Sequence, residues 1–232
     1  MVSVTRVDVG GVRLSLRSWP AAGAAGADAP PVLLLPGTGM TARDWDVVAP
    51  ALAVSRAVHA VDLRGHGESD RPGHYSIALM ATDVVGLVDR TEAPVVDLVG
   101  HSLGGLVACL VVRRRPHRVR RLVLEDVGLP RPRPAVAPSR PEGDLPFDWT
   151  VVEQVRPEID DPDPGWTDVA RAIPVPTLVV AGGERSTVPQ NGIRALVEAL
   201  PDGRAVTVDA GHLVHATEPE AFLRHVTAFL DA

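Results

Sequence analysis

The sequence contains no lysine; all 23 basic residues are arginine. In a chain this rich in alanine, glycine, proline and valine, that absence reads as nucleotide-composition bias rather than as function. A single cysteine, Cys109, excludes an intramolecular disulfide and fits a reducing compartment, so a cytoplasmic location is expected. Cys109 lies inside a helical segment and reads as a packing residue. No apolar run is long enough to span a bilayer, and Met1–Arg6 opens no long apolar core with a cleavage site. Neither a membrane span nor a secretory leader is therefore expected. Positive charge is in deficit, with a formal net charge of −6, which argues against nucleic acid or an anionic membrane surface as a partner. No metal-ligand cluster, phosphate loop or dinucleotide fingerprint appears, so neither metal nor cofactor is expected. What is present is 232 residues at 45% hydrophobic, enough for one well-buried domain.

The most informative stretch is Pro94–Gly105. A valine-rich apolar run ends in Gly100-His101-Ser102-Leu103-Gly104, and a helix-like apolar segment follows from Leu106 to Val112. Strand, tight turn and helix in that order form a nucleophile elbow, in which the serine occupies a strained tip and projects its hydroxyl clear of the sheet. Gly100 and Gly104 allow the incoming strand and outgoing helix to approach with no Cβ between them. Ser102 is the expected nucleophile. His101, beside it on the sharp turn, is expected to point elsewhere and to pack or shape the pocket.

Around this stretch the chain alternates strands and helices. Val4–Val9 and Val12–Leu16 read as an opening β-hairpin, and Ala21–Pro30 as a small-residue loop. Val32–Leu35, Ala57–Leu63, Arg121–Leu124, Thr177–Val180 and Ala205–Val208 read as further strands. Helices are expected over about Ala42–Leu52 (capped by Thr41), Ile77–Val88, Ser102–Arg115, Asn191–Leu200 and Pro219–Leu230. This predicts an α/β fold with a mostly parallel sheet covered by helices on both faces. Between Gly128 and about Pro164 proline becomes dense, acids collect, and Phe147, Trp149 and Trp166 hold much of the scarce aromatic content. Residues 128–167 therefore read as an inserted cap, carrying a helix over about Trp149–Val155, between core segments 1–127 and 168–232. Its aromatic residues Phe147, Trp149 and Trp166 are candidates for lining a substrate pocket or for anchoring the cap.

Ligands bind at the carboxyl ends of strands in such a sheet. His212 follows the last strand directly after Gly211, where its imidazole can reach Ser102, and is the expected general base. His215, three residues on, is expected to pack below it.

With these residues in view the chain resembles the α/β-hydrolase family over nearly its whole length. The resemblance rests on Leu35-Pro36-Gly37, Asp62-Leu63-Arg64-Gly65-His66-Gly67-Glu68-Ser69, Gly100–Gly105, Pro176–Val180 and Gly211-His212. There are two departures. Pro36-Gly37 stands where the family usually has His-Gly, and Arg185 stands where its catalytic aspartate most often follows the Thr177–Val180 strand. A minority plan of the family puts the acid one strand earlier, which on this chain is Asp126; Glu125 and Glu184 are the alternatives. The resemblance implies a Ser102–His212–Asp126 triad, with an oxyanion hole formed by the backbone amides of Thr38 and Leu103. A serine nucleophile argues against dehalogenase or epoxide-hydrolase chemistry, which in this fold uses an aspartate.

The expected activity is hydrolysis of a small-molecule carboxylic ester, thioester or lactone through an acyl-enzyme. Acyl transfer, cyclisation or C–C cleavage in a specialised pathway is the alternative, because one fold hosts many chemistries. A ligand sensor that retains the triad is the third reading. Natural substrate and oligomeric state are left open.

Overall fold

The computed structural model describes residues 1–23 and 29–232; the middle of the expected loop Ala21–Pro30, residues 24–28, lies outside the described residues. In chain order the elements are β1 (Ser3–Asp8), β2 (Arg13–Trp19), β3 (Val32–Leu35), α1 (Ala49–Leu52), β4 (Val58–Val61), α2 (Ile77–Arg90), β5 (Val96–His101) and α3 (Leu103–Arg114). They continue with β6 (Val119–Glu125), α4 (Thr150–Asp160), α5 (Trp166–Arg171), β7 (Thr177–Ala181), α6 (Gln190–Ala199), β8 (Gly203–Thr207), α7 (Val214–Thr217) and α8 (Pro219–Asp231).

The described strands form one sheet in the order β1-β2-β4-β3-β5-β6-β7-β8. β1 and β2 pair antiparallel, and β2 meets β4 antiparallel. From β4 onward every neighbour is parallel. Successive side chains of a strand face opposite sides of the sheet, and β3 shows the result. Leu33 and Leu35 join the core beneath α2, α3, α5 and α6, whereas Val32 and Leu34 join a second core with Trp45, Leu52 and the α8 residues Phe222, Val226 and Leu230. Those three α8 residues recur every fourth position, one stripe of a helix. Burying each contributes roughly 1.5–3 kcal/mol. The fold is thus the α/β sandwich implied by the sequence pattern.

Two elements differ from expectation. The segment Ala42–Leu52 is a 3₁₀ stretch (Ala42–Val47) followed by the short α1, with Pro50 in its first turn. Pro50 has no N–H to bond back to Asp46, so a single α-helix cannot run through it. Helix α4 runs past the expected Val155 to Asp160 despite Pro157, because Arg156 and Arg133 both bind Asp160 and hold the last turn closed.

Within 128–167, residues 146–148 run beside 65–67, with Gly67 N–H donating to Pro146 C=O and Asp148 N–H to Gly65 C=O, each at 2.7 Å. Helix α4 is tied to the loop before α2: Gln154 accepts from Tyr75 N–H and donates to Gly73 C=O, while Glu158 accepts from Ile77 N–H. Val151 and Val155 are fully buried against the core. This segment is riveted to the sheet domain at several points.

Candidate active site

The carboxyl ends of β5, β6, β7 and β8 lie side by side and are stitched together beyond the strands. Ser102 N–H donates to Glu125 C=O (3.1 Å), Asp126 N–H to Val180 C=O (2.8 Å) and Gly211 N–H to Gly182 C=O (2.8 Å). Ser102 and Asp126 both adopt φ of +49°, and among the described residues they are the non-glycine positions in the left-handed region. Such backbone costs of order 1–3 kcal/mol per residue and persists only where its surroundings enforce it. At the serine the enforcement is visible: a Cβ on Gly100 would come within 2.5 Å of Gly104 C=O, and one on Gly104 within 2.3 Å of Leu35 C=O. Strand and helix therefore touch backbone to backbone, and Ser102 is squeezed into the turn between them.

Asp126 is fully buried, and both of its carboxylate oxygens are hydrogen-bonded. Oδ2 lies 2.7 Å from His212 Nδ1 and also accepts from the Ser186 hydroxyl. Oδ1 accepts from Gly182 N–H at 2.8 Å. The carboxylate fixes the proton of His212 on Nδ1, which leaves Nε2 as the basic nitrogen. Glu125 serves a different histidine: both its oxygens accept from His215 Nδ1 (2.8 and 2.9 Å), and Oε1 also accepts from His215 N–H. Glu184 is exposed and Arg185 pairs with Asp209, and among the described residues the partner of His212 Nδ1 is Asp126. Adjacent acids at the end of β6 thus point to opposite sides, and Asp126 is the one that meets His212.

His101 Nε2–H donates to the His212 carbonyl at 2.9 Å, and the two rings are 4.6 Å apart. His101 is a strut beneath the His212 loop. Burial pushes its imidazole down to about 4, so it stands neutral. A Cβ on Gly37 would fall 2.7 Å from His101 Nδ1; the ring fills the space behind the turn that follows β3. Below it, His215 stacks on Trp45 at 4.3 Å. Burial works against ionisation of Glu125, yet its carboxyl lies below the ordinary carboxylate range, because the imidazoles of His101 and His215 lie against it and His215 donates to it.

Ser102, Leu103, Thr38, Asp126 and His212 all line one cavity of about 590 Å³. Among the described residues the Ser102 hydroxyl makes no hydrogen bond to protein; it meets His212 as part of the same cavity wall. Leu103 is the first residue of α3, and the N–H groups of a helix's first turn have no intrahelical acceptor. The turn carrying Thr38 is held by His66, whose Nε2 accepts from Gly39 N–H at 3.1 Å while Nδ1–H donates to Arg64 C=O at 3.0 Å. Burial lowers the pKa of His66, which keeps Nε2 free to accept. A buried carboxylate behind an imidazole, a hydroxyl before it and free amides opposite can move a proton off the hydroxyl and hold negative charge on a bound carbonyl oxygen.

The cap aromatics have two readings from sequence, lining the pocket or anchoring the cap. Phe147, Trp149 and Trp166 are not among the described residues that line the cavity. Phe147 stacks on His66 at 5.8 Å and abuts Gly39, Trp149 packs beside Phe147 at 6.3 Å, and Trp166 packs on the core. The wall contributed by α4 comes instead from Val152, Val155, Arg156 and Ile159, aliphatic but for the arginine. Large rings in this chain brace the turn carrying Thr38 and the core. Sequence reasoning missed Ser186 and His66 as supports of the site; a hydroxyl after Arg185 and a histidine between two glycines carry no periodic signal. Among the described residues no group of three or more His, Cys, Asp or Glu is placed so that it could hold a metal ion.

A family model described as the alpha/beta hydrolase fold matches residues 30–149. A 2-hydroxymuconate semialdehyde hydrolase of Pseudomonas putida is 31% identical over 244 residues, covering 86% of this chain and 86% of the relative. Among solved structures, E-2-(acetamidomethylene)succinate hydrolase superposes with a TM-score of 0.84 at 22% identity, covering 100% of both chains. The N-formylmaleamic acid deformylase of Pseudomonas putida S16 gives a TM-score of 0.82 at 24% identity, covering 97% of this chain and 100% of that one. At those identities the two structures speak for the fold alone. The matched family model and the relative of similar length establish the lineage: the chain belongs to the α/β-hydrolase fold family and is an α/β-fold hydrolase.

Proposed function

We propose that the chain is a serine hydrolase that cleaves a carboxylic ester, thioester or lactone through a Ser102–His212–Asp126 triad. The observation that carries this reading is the 2.7 Å bond from His212 Nδ1 to the buried Asp126 carboxylate, at a cavity that Ser102 also lines. In the first step His212 Nε2 takes the Ser102 proton as Oγ adds to the acyl carbonyl. The oxyanion is held by the amides of Thr38 and Leu103. Collapse expels the alcohol or thiol, which receives the proton from His212, and leaves an acyl-enzyme. Water, deprotonated by His212, then adds to the acyl carbon and releases the acid, returning the proton to Ser102. Asp126 holds the imidazole tautomer and stabilises its cation.

In the same reading residues 128–167 act as a cap on a core of 1–127 and 168–232. Val152, Val155 and Ile159 close the cavity with an apolar wall, which excludes water from the acyl-enzyme and favours apolar acyl groups. The test is labelling by a fluorophosphonate probe together with turnover of p-nitrophenyl esters. Wild type is labelled at Ser102, and Ser102→Ala abolishes both signals; labelling that survives the substitution sinks the proposal.

Similarity to a 2-hydroxymuconate semialdehyde hydrolase favours a second reading, in which the same serine machinery cleaves a C–C bond next to a carbonyl. Product analysis with a vinylogous 1,5-diketone acid against an ester of equal size separates the two.

A further inference from the structure

Apart from Asp126 and His212, every charged side chain lining the cavity is cationic: Arg131, Arg133 and Arg156. Arg156 occupies an anomalous place. The cavity-lining residues of α4 are Val152, Val155, Arg156 and Ile159, spaced i, i+3, i+4 and i+7, which is one face of a helix. Arg156 is therefore the one charged residue in an otherwise aliphatic stripe lining the catalytic cavity.

Charge around it does not balance. Arg133 and Arg156 both donate through Nε to one carboxylate, Asp160, at 2.6 Å and 2.7–2.8 Å. Asp160 is buried and does not itself line the cavity, and the acid that does, Asp126, is occupied by His212, Gly182 and Ser186. One negative charge thus faces two positive ones, and Arg131 adds a third. Among the described residues the Nη groups of Arg133 and Arg156 make no hydrogen bond, and the Arg131 side chain makes none at all. A guanidinium carries five donors in a fork that matches a carboxylate. The choice of arginine is not itself a signal in a chain without lysine; the signal is where three cations and one shared acid are placed.

We propose that Arg131, Arg133 and Arg156 form an anion subsite, and that the substrate of the Ser102 reaction carries an ionised carboxylate remote from the bond that is cleaved. This rests on the serine-hydrolase reading and narrows it. Asp160 orients the two guanidinium groups by their Nε edges and leaves their Nη edges for the substrate. The aliphatic residues of α4 flank the stem that joins carboxylate to scissile carbonyl.

The test compares mono-p-nitrophenyl adipate with p-nitrophenyl hexanoate, and adds a hexanoate ester whose phenol leaving group bears a carboxylate. Wild-type kcat/KM is expected to be about 10- to 100-fold higher for one of the charged esters than for the neutral one, and the preference to shrink with ionic strength. The favoured ester tells whether the charge belongs to the acyl or the leaving side. Arg131→Gln, which breaks no contact, and Arg156→Gln should each drive the charged-to-neutral ratio towards one. Equal rates on all esters, or a ratio that neither substitution moves, overturns the subsite. Calorimetry of both charged esters and of p-nitrophenyl hexanoate binding to Ser102→Ala tests the subsite without turnover: charge-selective affinity lost about tenfold or more in Ser102→Ala/Arg131→Gln supports it, and equal affinity for all three esters overturns it. Failure of Ser102 labelling, by contrast, removes the serine-hydrolase reading and leaves that binding result standing.

Discussion

Glu125 grips His215 three times, through both carboxylate oxygens on the ring Nδ1–H and through Oε1 on the backbone N–H. Both side chains are essentially unexposed. The chain neighbour Asp126 meanwhile turns to His212. The end of β6 thereby anchors two histidines of one loop, His212 above the sheet edge and His215 beneath it.

If Asp126 is the acid of the triad, Asp126→Asn leaves the fold intact and lowers kcat by about 10⁴, because the amide favours the wrong imidazole tautomer. Exposed Glu184 is the control, and Glu184→Gln should leave the rate within about twofold. Steady-state kinetics on a p-nitrophenyl ester decides it, and equal losses in the two variants would refute the assignment.

Glu125→Gln should act on stability first. It leaves His215 facing a neutral amide in a dry site, at a cost of roughly 1–3 kcal/mol. Urea unfolding is the measurement: the midpoint drops with no change in slope. A variant as stable as wild type would mean that the grip on His215 contributes nothing net.

Ser186→Ala removes one of the donors to Asp126. A hydrogen bond to a charged acceptor is worth about 1.5–3 kcal/mol, so kcat/KM should fall by about tenfold or more while the acid remains in place. Structural likeness of the variant by circular dichroism, together with an unaltered rate, would show that Gly182 N–H alone suffices to orient the carboxylate.

Acid should destabilise the fold well before the carboxylates titrate. Burial holds His101 at about 4 against an ordinary 6.5, with Glu125, His212 and His215 as its ionisable neighbours. Between those values the unfolded chain binds a proton that the folded chain refuses. Stability is therefore full above about pH 6.5 and is lost as pH falls towards about 4, by up to about 3 kcal/mol from this group. His59 and His66, also lowered by burial, act in the same direction. The stabilisation from Glu125, a lowered carboxyl, is full above its ordinary range and is lost only as pH falls below it. Urea midpoints at about pH 7.5 and about pH 5 should diverge, and His101→Asn should narrow the gap; an identical gap in the variant counts against His101.

Relief of backbone strain gives the last expectation. Ser102→Gly should abolish turnover yet raise stability by about 1 kcal/mol, because glycine adopts φ of +49° without penalty. Thermal unfolding of Ser102→Gly against Ser102→Ala isolates the backbone contribution, and a glycine variant no more stable than alanine would show the turn to be unstrained.

The strands of a mostly parallel sheet, the helix layers and the strand–turn–helix around Ser102 were legible because each leaves a local mark: an apolar run, a glycine pair, a period of 3.6; the order of the strands in the sheet was not. Position 126 was harder. Only the distance of Arg185 from the expected acid pattern pointed to the end of β6, and nothing local distinguishes Glu125 from Asp126 except the alternation of a strand. The cavity wall was not legible. Whether Phe147 faces a substrate or His66 depends on how residues 146–148 pair with 65–67, a contact across some 80 residues of chain that leaves no periodicity behind. Asp160 illustrates the same limit, since it prolongs α4 past Pro157 by binding Arg133, which lies outside the helix.

The close approach of Gly37 to His101 links two positions that are 64 residues apart in sequence. No side chain can be introduced at 37 while an imidazole fills the space behind it, and shrinking residue 101 alone opens a hole under the His212 loop. The hole is the milder of the two defects, so a larger residue at 37 is expected to follow a smaller one at 101 and not to precede it.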